Sequence, residues 1–250
     1  MVSSLPTPRI RCILLDIEGT TTPISFVHEV LFSYARSHLK TFLAKHFDSP
    51  DVLADLAKLR EEHALDLKLS PPPPELVEGP LIDSLVAYIN WLIDRDRKST
   101  ALKSLQGKIW KEGYLDGTLK AQVFTDVPQA LRRWRHAGLG ISIFSSGSSL
   151  AQELLFAHTE AGDLTEFIDN YFDTTVGSKQ ESKSYRRIAE LLGLRANEVV
   201  FVSDVVGELE AAHAAGMQVV LCVRPGNQPQ PFAERYRCIQ SLATVLETEY

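Results

Sequence analysis

Two rhythms of apolar residues divide this chain. Near its start, Ile10, Cys12, Ile13, Leu14 and Leu15 form an apolar run, the pattern of a strand buried on both faces of a parallel sheet. From Phe26 the rhythm changes. Phe26, Val27, Val30, Leu31, Tyr34, Leu39, Phe42 and Leu43 recur at helical spacing, and Asp51 begins a second amphipathic helix through Leu53, Leu56 and Leu59. Leu81 to Ile93 and Lys98 to Tyr114 read as two more helices. Between the two pairs lies Ser70 to Pro80, with four consecutive prolines, a stiff polyproline-type connection that more often serves as a spacer than as an SH3-type ligand.

After about residue 120 strands and helices alternate. Asp126 stands where it would cap a helix carrying Ala130, Leu131 and Trp134. Leu139 to Phe144 is a strand that stops at Ser145-Ser146-Gly147-Ser148-Ser149, and a helix follows through Leu150, Leu154 and Leu155. Tyr171 and Phe172 make a short strand at best. Lys179 precedes a helix with Tyr185, Ile188, Leu191 and Leu192. Val199 to Val202 is a buried strand ending at Ser203-Asp204, Leu209 to Ala215 is a helix, and Val219 to Val223 is a strand before the turn Arg224-Pro225-Gly226-Asn227. The tail reads as a helix near Leu242 to Leu246. The pattern predicts an α/β protein: a Rossmann-like parallel-sheet core from residues 1–23 and 120–250, with an all-helical domain, residues 24–119, inserted into it.

Composition narrows the function. The chain has 250 residues, 44% of them hydrophobic, and a net charge of −6, enough to bury a proper core. The acidic balance argues against nucleic acid or an anionic membrane as partner, so an anionic substrate must be held locally. No apolar run approaches a membrane span, and Met1 to Arg9 lacks the apolar segment of a signal peptide. The three cysteines, Cys12, Cys222 and Cys238, are odd in number and fit no metal spacing. Two of them lie within apolar runs, which suits a reducing compartment. His28, His38 and His46 fall on or near one helix without the spacing of a metal pair.

The candidate chemistry lies where strands end. Asp16 closes the first strand, Glu18 follows two residues on, and Gly19 and Thr20 complete a turn. A carboxylate there can attack phosphorus to form an acyl phosphate, and Glu18 can give and take protons. A strand that ends in an acidic turn is also ordinary structure. Ser145-Ser146 and Asp204 end two further strands, and Lys179 heads a helix between them. In a parallel sheet these ends share one edge, so the groups can converge. Asp16 and Asp204 are hard oxygen ligands suited to Mg²⁺. Ser145 and Ser146 can hold phosphate oxygens at a helix N-terminus, and Lys179 can offset the phosphate charge. Glu208 could orient Asp204 or a metal-bound water. Taken singly, the serines read as a capped turn, Lys179 as a surface lysine and Asp204 as a helix cap. Their joint placement after buried strands favours a site.

The four motifs, Asp16-Ile-Glu18-Gly-Thr, Phe-Ser145-Ser146-Gly, Lys179 and Ser-Asp204, resemble those of the haloacid dehalogenase-like superfamily. Further stretches are similar to the enolase-phosphatases of methionine salvage: Leu15 to Ile24, Asp96 to Gly107, Leu154 to His158, Tyr171-Phe-Asp-Thr and Val223-Arg-Pro-Gly-Asn. The resemblance spans roughly residues 10 to 227. It implies that 2,3-diketo-5-methylthiopentyl-1-phosphate is enolised and dephosphorylated to an acireductone through a phosphoaspartate on Asp16. It implies one Mg²⁺ per chain held by Asp16, Glu18 and Asp204, with Glu18 contributing through its backbone carbonyl. It implies Ser145, Ser146 and Lys179 as substrate-binding residues, Asp16 and Glu18 as catalytic ones, and the helical insert as a cap. A monomer acting on a small phosphorylated molecule in the cytoplasm, and also in the nucleus, is expected. Most phosphatases of the superfamily carry Asp at the place of Glu18, so the reach of this side chain differs. The alternative enzyme is another capped phosphatase or a phosphomutase acting on a sugar phosphate. A dehalogenase is disfavoured, because halide departure needs no proton donor at Glu18. A scaffold that keeps the fold and presents its proline run is the non-enzymatic alternative.

Overall fold

The computed structural model describes residues 9–77, 82–95, 97 and 99–247. Residues 1–8, 78–81, 96, 98 and 248–250 lie outside them, among them the Gly79-Pro80 end of the proline-rich connection, Leu81, Asp96 and Lys98. The chain divides into two compact units, Met1–Val27 with Lys120–Tyr250, and His28–Leu119.

The first unit is built on six strands. They are β1 (Cys12–Leu15), β2 (Gly140–Phe144), β3 (Asn170–Phe172), β4 (Val199–Ser203), β5 (Gln218–Cys222) and β6 (Cys238–Ile239), all parallel, in the order β3-β2-β1-β4-β5-β6. Every residue of β1 and β4 is buried, which is why both read as unbroken apolar runs. β1 lies at the centre, with Cys12 opposite Gly140 on one side and Val199 on the other. In this order the connections reverse direction beside β1, and such switch points are where open α/β sheets bind ligands, at the carboxyl ends of the strands. Asp16 and Asp204 directly follow the two strands that flank this point.

Helices α5 (Val127–His136), α6 (Ser149–Ala157), α7 (Ser182–Leu191) and α8 (Val206–Ala214) complete this unit. On one face of the sheet Cys12, Leu14, Phe144 and Phe201 cluster with Tyr185, Ile188, Leu209 and Ala212. Burying a large apolar side chain of this kind contributes about 1.5–3 kcal/mol relative to leaving it exposed. The Tyr185 ring stands edge-on to Phe144 and tilted against Phe201, with centroids 5.5 and 5.1 Å away. Its hydroxyl donates to the Lys179 carbonyl at 2.7 Å, so this core residue fixes the backbone of a candidate site residue.

The second unit carries α1 (Phe32–His46), α2 (Pro50–Asp66), α3 (Ile82–Asp94) and α4 (Thr100–Asp116), with a π-helical turn, Phe26–Leu31, leading into α1. The helices bury most of the stripes that their spacing predicts, among them Leu39 and Leu43, Leu56 and Leu59, Leu85 and Ile89, and Leu105 and Ile109, whereas Val30 and Leu53, expected on the same stripes, are exposed. Ser99 caps α4 by accepting the Leu102 N–H at 3.0 Å. The proline run is tied to α2, where the His63 ring nitrogen Nε2 lies 2.8 Å from the Pro74 carbonyl.

Two expectations need correction. Asp126 precedes α5 but makes no capping bond. Its Oδ2 instead accepts from the Leu242 N–H (2.6 Å), the Ser241 hydroxyl (3.0 Å) and Arg224 Nη2 (3.0 Å). The tail forms a single 3₁₀ turn, Leu242–Thr244, rather than a helix. The two-residue strand β6 gave no sequence pattern at all. Cys12 and Cys222 are buried free thiols, pushed by burial up to about 11 and about 12, and Cys238 is exposed. No helix among the described residues is long and apolar enough to cross a membrane.

Candidate active site

Asp16 continues β1, its N–H donating to the Val202 carbonyl at 3.0 Å. The chain then folds back so that the Ile17 carbonyl accepts from the N–H groups of Thr20, Thr21 and Thr22, while the Gly19 N–H reaches the Thr22 carbonyl at 2.8 Å. Gly19 sits at φ +71°, a conformation costly for any residue with a Cβ. A methyl group built there would lie 2.6 Å from the Asp204 Cγ and overlap its carboxylate. The glycine is therefore the space that the Asp204 side chain occupies.

The carboxylate of Asp16 is almost fully buried. Its Oδ1 accepts from the Ile17 N–H at 2.7 Å and from Lys179 Nζ at 2.6 Å, and the Ser203 hydroxyl reaches Oδ2 at 3.4 Å. Lys179 Nζ also lies 2.7 Å from Glu208 Oε2 and 5.9 Å from the Phe144 ring centroid. Burial works against the ammonium, but the Asp16 and Glu208 carboxylates outweigh it and hold its pKa above the ordinary value. Glu208, which also accepts from the Ser203 hydroxyl at 2.9 Å, thus orients Lys179 rather than Asp204. Burial and the nearby Asp16 charge push Glu208 upward, against the pull of Lys179 and Ser203.

The serines come from the loop between β2 and α6. Ser145 donates its N–H to the Phe172 carbonyl at 3.1 Å, and its hydroxyl accepts the Gly147 N–H at 3.3 Å. Ser148 caps α6 by accepting the Ala151 N–H at 3.3 Å. Gln152 and Asp173, two residues with no role predicted from sequence, secure this loop. Gln152 Nε2 donates to the carbonyls of Gly147 and Phe172, both at 2.8 Å. Asp173 Oδ2 accepts from the Ser149 N–H and hydroxyl, both at 3.1 Å. Burial favours the neutral acid at Asp173, but bonds from Thr175 and Ser149 hold its pKa below the ordinary value.

Asp16, Glu18, Ser145, Ser146, Lys179 and Asp204 all line one pocket of about 320 Å³. Glu208, Ile24, Val205, Gln228 and Gln230 line it as well; the two glutamines carry no sequence pattern that would have pointed to them. Burial, together with the Asp16 and Glu18 charges, pushes the Asp204 carboxyl up to about 7, against its own backbone N–H and Lys179. Several carboxylates facing one pocket with a single paired lysine suit a hard divalent cation. Among the described residues no three His, Cys, Asp or Glu side chains already close on one point. That is compatible with a site made of two side-chain carboxylates and a backbone carbonyl. The donor set therefore fits the expected Mg²⁺.

Residues 10–216 match the family of haloacid dehalogenase-like hydrolases. An "Enolase-phosphatase E1" of Synechococcus elongatus is 53% identical, covering 89% of this chain and 93% of that protein. A "Probable bifunctional methylthioribulose-1-phosphate dehydratase/enolase-phosphatase E1 1" of Vitis vinifera is 44% identical over 95% of this chain and 47% of its own length. Among solved structures, the UTR4 protein of Saccharomyces cerevisiae superposes with a TM-score of 0.75 at 34% identity, over 93% of this chain and 98% of that one.

Proposed function

We propose a reaction for this chain from one premise: it belongs to the haloacid dehalogenase-like hydrolases and, within them, to the enolase-phosphatase E1 family. It converts 2,3-diketo-5-methylthiopentyl-1-phosphate to the acireductone 1,2-dihydroxy-3-keto-5-methylthiopentene and inorganic phosphate, a step of methionine salvage. The observation that carries this reading is the shared pocket of Asp16, Glu18, Ser145, Ser146, Lys179 and Asp204, in a chain whose 53%-identical relative bears that enzyme's name.

Asp16 supplies the nucleophile. One of its carboxylate oxygens bonds to phosphorus as the ester P–O bond breaks, and the electron pair leaves with the substrate oxygen. Enolisation beforehand makes that oxygen an enolate, a better leaving group than an alkoxide. Water then attacks the phosphoaspartate while Glu18 takes its proton, which frees Asp16 and phosphate. Lys179, steadied by Glu208, offsets the phosphoryl charge. Ser145 and Ser146 hold phosphoryl oxygens ahead of α6. Asp16 and Asp204, with Glu18, would hold one Mg²⁺, which when bound offsets phosphate charge and polarises the phosphoryl group. The helical insert serves as the cap that recognises the methylthio end; its interruption of the core between β1 and β2 and its own buried core support that role. The enzyme acts as a monomer on this small molecule, in the cytoplasm and the nucleus.

The test is a comparison of kcat/KM for the diketo phosphate against common sugar phosphates, with phosphate and acireductone both quantified. The diketo phosphate should be preferred, with one acireductone per phosphate released. Preference for a sugar phosphate, or return of the phosphate to a sugar, would replace this substrate with the alternative class.

A further inference from the structure

The turn that follows β5 reaches back to the loop that carries Asp16 and Glu18. Arg224 is 6% exposed. Its guanidinium donates from Nε to the Thr20 carbonyl at 3.1 Å, from Nη1 to the Gln240 carbonyl at 2.7 Å and from Nη2 to Asp126 Oδ2 at 3.0 Å. Its carbon Cζ lies 4.4 Å from the Phe124 ring centroid, and the Phe124 N–H donates to the Thr21 carbonyl at 3.0 Å. Three residues on, Asn227 Nδ2 donates to the Gly19 carbonyl at 2.9 Å and to the Cys222 carbonyl at 3.3 Å. Both neighbours are acceptors, which fixes the orientation of the amide. One short turn thus grips the carbonyls of Gly19 and Thr20, the two residues after Glu18. Of the loop's own hydroxyls, that of Thr21 donates to the Asp16 and Ile17 carbonyls at 3.1 and 3.2 Å, ahead of Glu18, while Thr20 Oγ1 and Thr22 Oγ1 are buried without hydrogen-bond partners.

A buried ion pair is weak support for stability, because desolvation can consume the Coulomb gain. The rigid, always-charged fork of arginine is instead suited to fixing geometry between separate segments, here the catalytic loop, the start of α5 and the tail. Neither Arg224 nor Asn227 is among the residues lining the pocket, and both bond the loop that carries Glu18, so the loop is a direct route by which they can act on it.

We propose that Arg224 and Asn227 are positioning residues for Glu18: by holding the Thr20 and Gly19 carbonyls they keep its carboxylate where water attacks the phosphoaspartate. This role rests on Glu18 acting as the base of that step. A misplacement of about 1 Å can cost on the order of a hundredfold in rate, so release of one tether should slow kcat about tenfold.

The experiment uses the full chain with p-nitrophenyl phosphate, so that its outcome does not depend on which natural ester is the substrate. Asn227→Ala, which leaves the Arg224–Asp126 pair in place, is measured in the wild type and in the Glu18→Gln background. Arg224→Lys, which keeps the charge but cannot make all three contacts at once, provides the second probe. Asn227→Ala should lower kcat about tenfold with KM within about twofold, and should change kcat by less than about twofold once Glu18 is Gln. Such non-additivity is the mark of two groups acting through one another. The same tenfold loss in both backgrounds, a loss confined to KM, or no loss would each overturn the proposal. Amide exchange over residues 17–22 reads the tether without any turnover. It should quicken in Asn227→Ala, and unchanged exchange would overturn the proposal by itself. If Glu18→Gln has no steady-state defect, the base assignment has failed, and so has a positioning role that works through it. If the diketo phosphate alone is refused, the substrate reading fails and the tether stands.

Discussion

Gly19→Ala separates the stability of the fold from the placement of one carboxylate. The backbone at φ +71° costs a residue with a Cβ about 1–2 kcal/mol. At about 2–4 °C per kcal/mol for a chain of this size, Tm should fall by about 2–8 °C. A domain that starts with about 5–15 kcal/mol of stability remains folded after that loss, so unfolding contributes nothing visible to a rate measured at 25 °C. The added methyl does something else. At 2.6 Å from the Asp204 Cγ, where real Cβ atoms stay beyond 3.0 Å, it displaces the Asp204 carboxylate by several tenths of an ångström. A shift on that scale should lower kcat about tenfold or more. It should also weaken cation binding, so Mg²⁺ should raise the Tm of the variant less than that of the wild type, because ligand linkage scales with affinity. The assays are thermal melts with and without Mg²⁺ and phosphate release at saturating substrate. A variant with the expected drop in Tm but kcat within twofold of wild type would refute the reasoning, since the position of Asp204 would then not matter.

Three further outcomes follow from the site. Asp16→Asn keeps the shape but removes the proposed nucleophile, and such losses can reach on the order of a millionfold within a cooperating set; phosphate release should fall to background, and substantial residual turnover would remove Asp16 from that role. Lys179→Ala should lose most of its kcat/KM by the phosphate assay, and it leaves Asp16 and Glu208 facing each other without the cation between them; near-wild-type activity would return Lys179 to ordinary structure. Glu18→Gln should give a burst of about one acireductone per site and then turnover slower by about 10²–10⁴-fold, with phosphate found on Asp16 by mass spectrometry of quenched enzyme. Slow release with no burst and an unmodified Asp16 would place Glu18 before phosphoryl transfer.

What the sequence reveals of this fold depends on the range over which each feature is determined. β1, β2 and β4 are legible because a strand buried on both faces must be apolar throughout, and a site residue at its end must then break the run. Asp16, Ser145 and Asp204 are those breaks. Tertiary partners are not legible. Asp126 stands where a cap belongs, yet its partners Arg224 and Leu242 are 98 and 116 residues away, and they outcompete the local bond. Glu208 lies one helical turn after Asp204, yet its carboxylate pairs with Lys179 and Ser203, because sequence spacing says which residues share a turn and not which way they point. Gln152 did leave a signal: a polar residue on the helix of Leu154 and Leu155, itself buried, has to satisfy its amide somewhere. Val223-Arg-Pro-Gly-Asn stands out only through its resemblance; the tethers from Arg224 and Asn227 are not legible in it, since a turn rich in Pro and Gly accounts for itself locally.

The position of β1 in the sheet also sets an order of events during synthesis. It is the first strand to be made, yet its neighbours β2 and β4 pair with it across roughly 130 and 190 residues of chain. At about 5–20 residues per second, roughly ten to forty seconds pass between the appearance of Cys12 and that of Val199. In that interval the helices of residues 28–119, whose contacts are local and quick to form, have time to fold. β1 meanwhile waits with the edge that faces β4 unpaired, the condition that invites aggregation and calls for chaperone cover. A ribosome stalled short of Val199 therefore holds a folded helical unit and, ahead of it, Asp16 on a strand that still lacks its β4 neighbour.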